Sequence, residues 1–336
     1  MASLACFVGL DYSDERVQVC LLDAQGKQLD NQCCGNDWQE IVRSVERHGR
    51  VAEAAIESCT GAANLAEELA TRAGWSIHLA HPGYVQRMKQ TPDKTDYQDA
   101  HLLADLVRVG YLPRVWLAPA SVRDLRQLVR YRQQLVEQRR ATKLRVRALL
   151  REHRCRPSMA VNPWTKAWRS WVESIAIGSL GRWVMDRHLL ELQRLAKAIQ
   201  EVEERLAQAT ADDAVVQRLR SQAGVGPVTA WVLRAEIGRF ERFHTGKQLA
   251  RFCGLSPRNA SSGSRQADAG LINAASSMLR SVLIEVAHRL PRQDVRWAKF
   301  RGRLREGGKK GSVIAAAIAN RWVRWLYHQM QTVAVA

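Results

Sequence analysis

The feature that most constrains this chain is a short apolar run near its start that ends in a single carboxylate. Residues 4–9 are apolar or small, and Leu10 is followed directly by Asp11. An uninterrupted apolar run of this length is typical of a strand buried on both faces of a sheet. A buried carboxylate is costly unless it is paired, so the pattern predicts that Asp11 is hydrogen-bonded or binds a cation.

The first third of the chain predicts an α/β domain. An alternating second strand and an Asp-Ala-Gln-Gly turn indicate an antiparallel hairpin, and Asp37 has the position of a helix N-cap. Three strands followed by alternating helix and strand are typical of mixed α/β architecture, and we expect the sheet order 3-2-1-4-5. The predicted strands span 4–11, 16–23, 27–34, 51–57 and 76–80, and the predicted helices span 37–48, 64–73 and 99–109.

Three further carboxylates stand where they could join Asp11. Glu57 ends the fourth predicted strand, which neighbours the first, and Asp96 and Asp99 lie three residues apart on one helix face. Separately, each acid could cap a helix or end a strand in solvent. Together they would repel one another without a cation, and oxygen-only ligands select Mg²⁺ or Mn²⁺. The spacing therefore predicts a divalent metal site of the kind that serves displacement at phosphorus.

The charge predicts a polyanionic partner. The chain carries a net charge of +18 and has a pI near 10.2. The stretch 108–156 holds 14 basic against three acidic residues, and 280–310 holds ten against three. One such run would be an ordinary solvated helix face, whereas two arginine-rich runs favour contact with a phosphate backbone. The candidate nucleic-acid-binding residues in these runs are Arg130, Arg139, Arg140, Lys143, Arg147, Lys309 and Lys310.

The remainder of the chain is predicted to be helical. Residues 122–153 and 189–209 have the apolar stripes of two long helices, which we expect to pair as an antiparallel coiled coil within the chain or between subunits. Tryptophans at 164, 168, 171 and 183 have helical spacing, which favours core packing over base stacking. Gly224 and Gly226 precede Pro227 between two helical stretches, as in a helix–hairpin–helix element that binds a DNA phosphate, although an ordinary interhelical turn has the same pattern.

Other function classes are disfavoured. No apolar stretch is long enough to cross a bilayer, and the start of the chain lacks a signal-peptide pattern. The seven cysteines are scattered and show no paired metal-ligand spacing, which predicts reduced thiols. We therefore expect a cytoplasmic protein that associates with nucleic acid and has no membrane partner.

Several motifs, in this order, resemble the DEDD transposases of the "one-ten" type of bacterial insertion sequence, which are also called bridge-RNA-guided recombinases. The resemblance spans nearly the whole chain. The matching segments are 9–11, 56–61, 94–100, 224–227, 252–258, 262–264 and 307–311. Two departures are that Ser58-Cys59 follows Glu57 and that no acid precedes Ser262 in the segment 259–261.

This resemblance implies a fold and a chemistry. The implied fold is an RNase H-like (RuvC-like) domain over 1–115, a basic coiled-coil linker over 116–212 and a helical transposase domain over 213–336. The implied nucleophile is Ser262, flanked by Arg258 and Arg265, with Asp11, Glu57, Asp96 and Asp99 holding Mg²⁺ or Mn²⁺. The implied partners are donor and target double-stranded DNA, a structured guide RNA and further copies of the chain in a dimer or tetramer.

Two alternatives stay open at the level of sequence. One is a hydrolytic RuvC-like endonuclease of the junction-resolvase type, which uses the four acids and forms no covalent intermediate. The other is a non-catalytic nucleic-acid-binding protein. A covalent protein–DNA adduct would separate the first alternative from the transposase, and loss of activity in Asp11→Asn would exclude the second.

Overall fold

The computed structural model describes residues 5–89, 95–157, 161–259, 268–272 and 275–331. The chain forms two compact units, Met1–Ala120 and Ser121–Ala336. No helix within the described ranges is long and apolar enough to cross a membrane.

The first unit is an α/β unit. Its elements are β1 (Ala5–Tyr12), β2 (Arg16–Leu22), β3 (Gln28–Gly35), α1 (Trp38–Glu46), β4 (Arg50–Glu57), α2 (Ala62–Arg72), β5 (Ile77–Ala80), α3 (Pro82–Met88), α4 (Asp96–Arg108) and β6 (Arg114–Val115). Asp37 caps α1, where its side chain accepts hydrogen bonds from the backbone N–H groups of Gln39 and Glu40, as predicted.

One sheet organises this unit, in the order β3-β2-β1-β4-β5-β6. β2 is antiparallel to β1 and β3, β4 is parallel to β1 and β5, and β6 is antiparallel to β5. The order of the first five strands is the one expected from the sequence. The prediction missed α3 and β6 because elements of seven and two residues are too short to show a periodic pattern.

The sheet is buried between two layers of helices. On one face, α1 and α2 pack through Ile41 and Leu69 against Val8, Leu10 and Ile56. On the other face, α4 covers β1 and β2, and α3 adds contacts beside β5. Cover on both faces explains why β1 reads as a continuous apolar run rather than an alternating one.

The second unit is mostly helical. Its elements are α5 (Ala120–Glu152), α6 (Lys166–Ser174), α7 (Ser179–Ala209), α8 (Ala214–Arg220), α9 (Pro227–Ile237), α10 (Gly246–Phe252), β7 (Pro257–Asn259), β8 (Asp268–Leu271), α11 (Ser277–Gln293), α12 (Val295–Glu306) and α13 (Gly311–Met330). The mixed α/β first unit and the mostly helical remainder confirm the fold class at that level.

The two long helices α5 and α7 pack against each other in opposite directions. Leu135 of α5 shares a core with Leu195 and Leu206 in the second half of α7. Further along α5, Val146 shares a second core with Met185 near the start of α7. The predicted antiparallel pairing of the two long helices within one chain is therefore confirmed. Whether they supercoil as a coiled coil stays a prediction.

The last third of the chain differs from expectation in one element. Its core is formed by α8 to α13 around large buried side chains such as Trp322 and Phe240. The sequence predicted only helices and irregular loops here, but β7 pairs antiparallel with β8. These strands are three and four residues long, so pairing across the intervening segment, rather than a local pattern, defines them.

Candidate functional site

Asp11 and Glu57 lie side by side on one face of the sheet. The parallel pairing of β1 with β4 runs to Leu10 opposite Ile56, so the next position on each strand brings Asp11 beside Glu57. Leu10 and Ile56 both point into the core beneath α1 and α2. Because successive side chains alternate, Asp11 and Glu57 point to the opposite face, and both are half-buried there.

The first turn of helix α4 lies at the end of the sheet where β1 and β4 finish, close to Asp11 and Glu57. A Cβ on Gly9 would overlap the carbonyl oxygen of Ala100, so only glycine at this position lets α4 lie directly on β1. The last turn of α4 lies at the opposite end of the sheet, where β1 begins. There Arg108 donates a hydrogen bond to the carbonyl oxygen of Ala24 in the β2–β3 turn. α4 therefore runs antiparallel to β1, and its first turn lies at the edge where β1 ends.

The two acids of α4 have different environments. Asp99 is 8% exposed, and its Oδ1 lies 2.5 Å from Nζ of Lys89, just beyond the end of α3. Asp96 is exposed at the first position of the helix, after the N-cap Thr95, whose hydroxyl accepts from the Gln98 N–H. Both carboxylates are favoured by the positive end of the helix dipole, but only Asp99 has a cationic partner among the described residues, the half-buried Lys89.

Asp11 and Glu57 have the donor chemistry for a hard divalent cation. Mg²⁺ keeps several waters and needs only one or two protein carboxylates in addition to substrate phosphate. Two half-buried carboxylates on neighbouring strands meet that requirement. Within the described residues, no group of three or more His, Cys, Asp or Glu side chains is arranged to hold a metal ion. The predicted four-carboxylate set therefore stays a prediction, and Lys89 supplies the positive charge at Asp99.

The negative charges of Asp11 and Glu57 also affect the thiol of Cys59. Its pKa is raised above the ordinary value, first by burial and then by the charges of Glu57, Asp11 and Asp14. A nearby anion disfavours a thiolate in the same way that it disfavours a second carboxylate. Cys59 thus lies within electrostatic range of both sheet carboxylates, which gives the site a chemical reporter.

Sequence reasoning missed Lys89. It is one lysine among many basic residues, and no motif marks it. Its importance follows from its position ten residues before Asp99 and from the burial of the carboxylate that it contacts. The signal in the sequence is weak, since Lys89 lies in the middle of the predicted connection between the strand 76–80 and the helix 99–109.

The predicted nucleophile lies outside the described residues. Ser262 and Arg265 both belong to the segment 260–267, which separates β7 from β8. Arg258 lies on β7 and is exposed. The roles of Ser262 and its two flanking arginines stay predictions.

The predicted nucleic-acid-binding residues of α5 fall into two groups. Arg130 is bound to Glu236, a 7% exposed carboxylate on α9, with a Nε–Oε1 distance of 3.1 Å. An arginine that neutralises a buried acid has a structural role, which is a second role beside the predicted phosphate contact. The other four, Arg139, Arg140, Lys143 and Arg147, lie on the following turns of α5, half-buried or exposed.

The glycines and lysines of the last third also differ in their environments. Gly224 has φ +81°, and a Cβ there would contact Val286 and Leu290 of α11, so its backbone geometry and packing both favour glycine. Gly226 is the N-cap of α9 and would accept a Cβ into open space. Lys309 and Lys310 are exposed just before α13.

Family comparisons cover most of the chain. Residues 8–154 match the DEDD transposase family model of the IS110 type. Residues 216–301 match the model described as "Transposase IS116/IS110/IS902 family". The four predicted carboxylates lie in the first match and Ser262 lies in the second.

Individual relatives are similar over nearly their whole length. The "Transposase for insertion sequence element IS1111A" of Coxiella burnetii is 26% identical over 333 residues, which are 95% of this chain and 88% of the relative. The "Probable family 20 transposase" of Pseudomonas aeruginosa is 28% identical over 330 residues, 95% of each chain. The "Transposase for insertion sequence element IS1328" of Yersinia enterocolitica is 26% identical over 299 residues, 83% of this chain and 84% of the relative. With both family models matched in order, the chain belongs to the IS110 family of DNA transposases.

Proposed function

We propose that the chain cuts and rejoins DNA through a covalent serine intermediate, with Ser262 as the nucleophile and an RNase H-like first unit as the carboxylate site. The observation that carries this proposal is the position of Asp11 beside Glu57 on one sheet face, at the edge where α4 begins. Two carboxylates on adjacent parallel strands are enough to bind Mg²⁺ together with water and substrate phosphate, which supports a phosphoryl-transfer site.

The chemistry balances without an added oxidant or group donor. The Ser262 oxygen forms a bond to a DNA phosphorus, one phosphorus–oxygen bond of the backbone breaks, and the serine proton is finally carried by the freed sugar hydroxyl. Rejoining reverses these changes, because a sugar hydroxyl of the second strand displaces the serine oxygen from phosphorus. The phosphodiester energy is kept throughout, so transfer needs no nucleotide cofactor.

Asp11 and Glu57 are the residues that would hold Mg²⁺ or Mn²⁺, with Asp96 and Asp99 as further ligands. A bound divalent ion would stabilise the negative charge that develops on the phosphate oxygens. The close contact of α4 with Gly9 holds Asp96 and Asp99 at the end of the sheet where Asp11 and Glu57 lie. Arg258 and Arg265 would hold the scissile phosphate.

The partners follow from charge and from the family. The excess of basic residues supports binding of donor and target duplex DNA, and it is compatible with a structured guide RNA. Site halves contributed by different subunits of a dimer or tetramer would bring Ser262 to the carboxylates. Sequencing the RNA that co-purifies with the protein tests the guide, since an enriched structured species supports it and random cellular RNA contradicts it.

The serine role has a direct test. Wild-type protein is incubated with labelled donor and target DNA and Mg²⁺, then denatured, and protein-bound label is measured. We expect an adduct with wild type and with Ser261→Ala, the neighbouring-serine control, and none with Ser262→Ala. An adduct that persists in Ser262→Ala would refute the serine role. Cleavage by wild type without any adduct would instead favour the hydrolytic endonuclease.

A further inference from the structure

A cleft in the second unit combines cationic and aromatic side chains. It has a volume of about 330 Å³ and lies among α5, α7 and the start of α6. Arg139 and Lys143 reach it from α5, and Lys166 and Arg169 reach it from α6. Trp164 forms part of its wall. A volume of this size is at the lower end of the range for small-ligand sites.

Trp164 is held in an unusual backbone conformation. Its φ is +71°, in the left-handed region that a bulky side chain rarely adopts. Its ring centroid lies 4.4 Å from that of Trp168, which is buried, whereas Trp164 itself is only half-buried. The Nζ of Lys143 lies 4.7 Å from the Trp164 ring centroid. Tertiary contacts thus fix an indole at the cleft in a strained conformation, as functional sites often do.

The cations of this cleft are poorly neutralised. Among the described residues, no carboxylate lies within 4.0 Å of the charged nitrogens of Arg139, Lys143 or Lys166, whereas Arg169 pairs with Glu173 at 3.1 Å. The pKa of Lys143 is lowered by burial and then by the neighbouring Arg139 and by Arg147. An anion in the cleft would reduce the repulsion between these cations and offset the cost of their desolvation.

From this combination we infer that the cleft binds one unpaired nucleotide of a nucleic-acid strand, with its base against Trp164 and its phosphates at Lys143, Arg139 and Lys166. Base stacking on an aromatic plane beside a cationic track is how proteins bind single strands without sequence preference. A duplex offers its phosphates but keeps its bases stacked inside, so the indole would select an unpaired position. The inference deepens the proposed function, on which it rests for its biological role.

The test measures binding of short fluorescent strands to the full-length protein by anisotropy. The probes are oligothymidylate, oligouridylate, an abasic strand with the same phosphates, and a DNA duplex. Trp164→Ala is expected to weaken binding of both base-bearing strands by about 5- to 150-fold and to leave the abasic strand and the duplex unchanged. Lys166→Glu is expected to weaken all three single strands, because it removes a phosphate contact.

Matched controls separate the cleft from general charge or aromatic content. Trp183→Ala removes a 63% exposed tryptophan of α7 that lies outside the cleft lining, and Lys197→Glu reverses an 81% exposed lysine side chain of the same helix. Trp183→Ala should bind like wild type, and Lys197→Glu should weaken single strands less than Lys166→Glu does. Stronger binding of the deoxy or the ribo strand identifies DNA or RNA as the source of the nucleotide.

Three results would overturn the inference. They are unchanged binding of oligothymidylate and oligouridylate by Trp164→Ala, equal weakening of the abasic strand by that variant, and equal effects of Lys166→Glu and Lys197→Glu. Should Trp164→Ala unfold, as its thermal melt would reveal, the exposed Lys166→Glu still decides the question. If the cleft variants show any of these results while wild type still forms the serine adduct, the proposed function stands and only the cleft assignment fails. Loss of the adduct in Ser261→Ala would contradict the assignment of Ser262 and would leave the cleft assignment untouched.

Discussion

Replacing Lys89 with methionine tests how the buried carboxylate of α4 is stabilised. The side chains of Lys89 and Asp99 are 20% and 10% exposed, and their charged atoms lie 2.5 Å apart. Removing one partner of a buried ion pair leaves an uncompensated charge and typically costs about 3–5 kcal/mol. Because the pair retains some solvent contact, we expect the low end, about 3 kcal/mol, of the unfolding free energy of the first unit.

The assay must report on the first unit alone, since two units need not unfold together. Cys20 lies in β2, is fully buried, and burial raises its pKa to about 12. Pulsed thiol labelling of Cys20 across a urea series, resolved by mass spectrometry, therefore follows unfolding of the sheet. Mg²⁺ should stabilise Lys89→Met more than wild type, because a cation can then replace the missing ammonium at Asp99.

An exposed ion pair provides the control. Arg114 and Glu53 are 47% and 32% exposed, so Arg114→Met should cost no more than about 1 kcal/mol. Adding Asp99→Asn to Lys89→Met should recover much of the loss, since the double variant contains no unpaired buried charge. A loss below about 0.5 kcal/mol in Lys89→Met, or no recovery in the double variant, would refute the reasoning.

Three further changes have defined outcomes. Gly9→Ala should displace α4 and destabilise the first unit by about 3 kcal/mol, and an unshifted urea midpoint would contradict the close contact. Glu57→Gln should lower the pKa of Cys59 and so raise its thiolate fraction and alkylation rate at pH 8. An unchanged alkylation rate would show that the Glu57 charge does not act on Cys59. Arg130→Met should destabilise the second unit by roughly 1 kcal/mol in denaturant unfolding, because the Arg130 side chain is 58% exposed and Arg126 still acts on Glu236. A wild-type free energy of unfolding in Arg130→Met would show that the ion pair with Glu236 does not stabilise the unit.

The sheet and its two neighbouring acids could be predicted because both depend on local patterns. The apolar run before Asp11 identifies a central strand, and the strand that ends at Glu57 has the same character. Period-two alternation then fixes the face on which each acid lies once the strands are paired. The strand order follows from the hairpin and the alternating helices.

Features set by distant contacts could not be predicted. The partner of Arg130 is Glu236, 106 residues away, and no pattern in either helix marks the pair. Lys89 likewise contacts Asp99 only because α3 ends beside the start of α4. The strands β7 and β8 exist through their pairing with each other, which short segments do not signal by themselves.

The most direct test of the central claim is Mn²⁺ binding measured by electron paramagnetic resonance in the absence of nucleic acid. We expect wild type to bind Mn²⁺ and Asp11→Asn and Glu57→Gln each to weaken this binding strongly. Asp14→Asn, an exposed acid beside the site, should bind like wild type. Undiminished Mn²⁺ binding by both Asp11→Asn and Glu57→Gln would contradict the claim that these two carboxylates form a shared cation site.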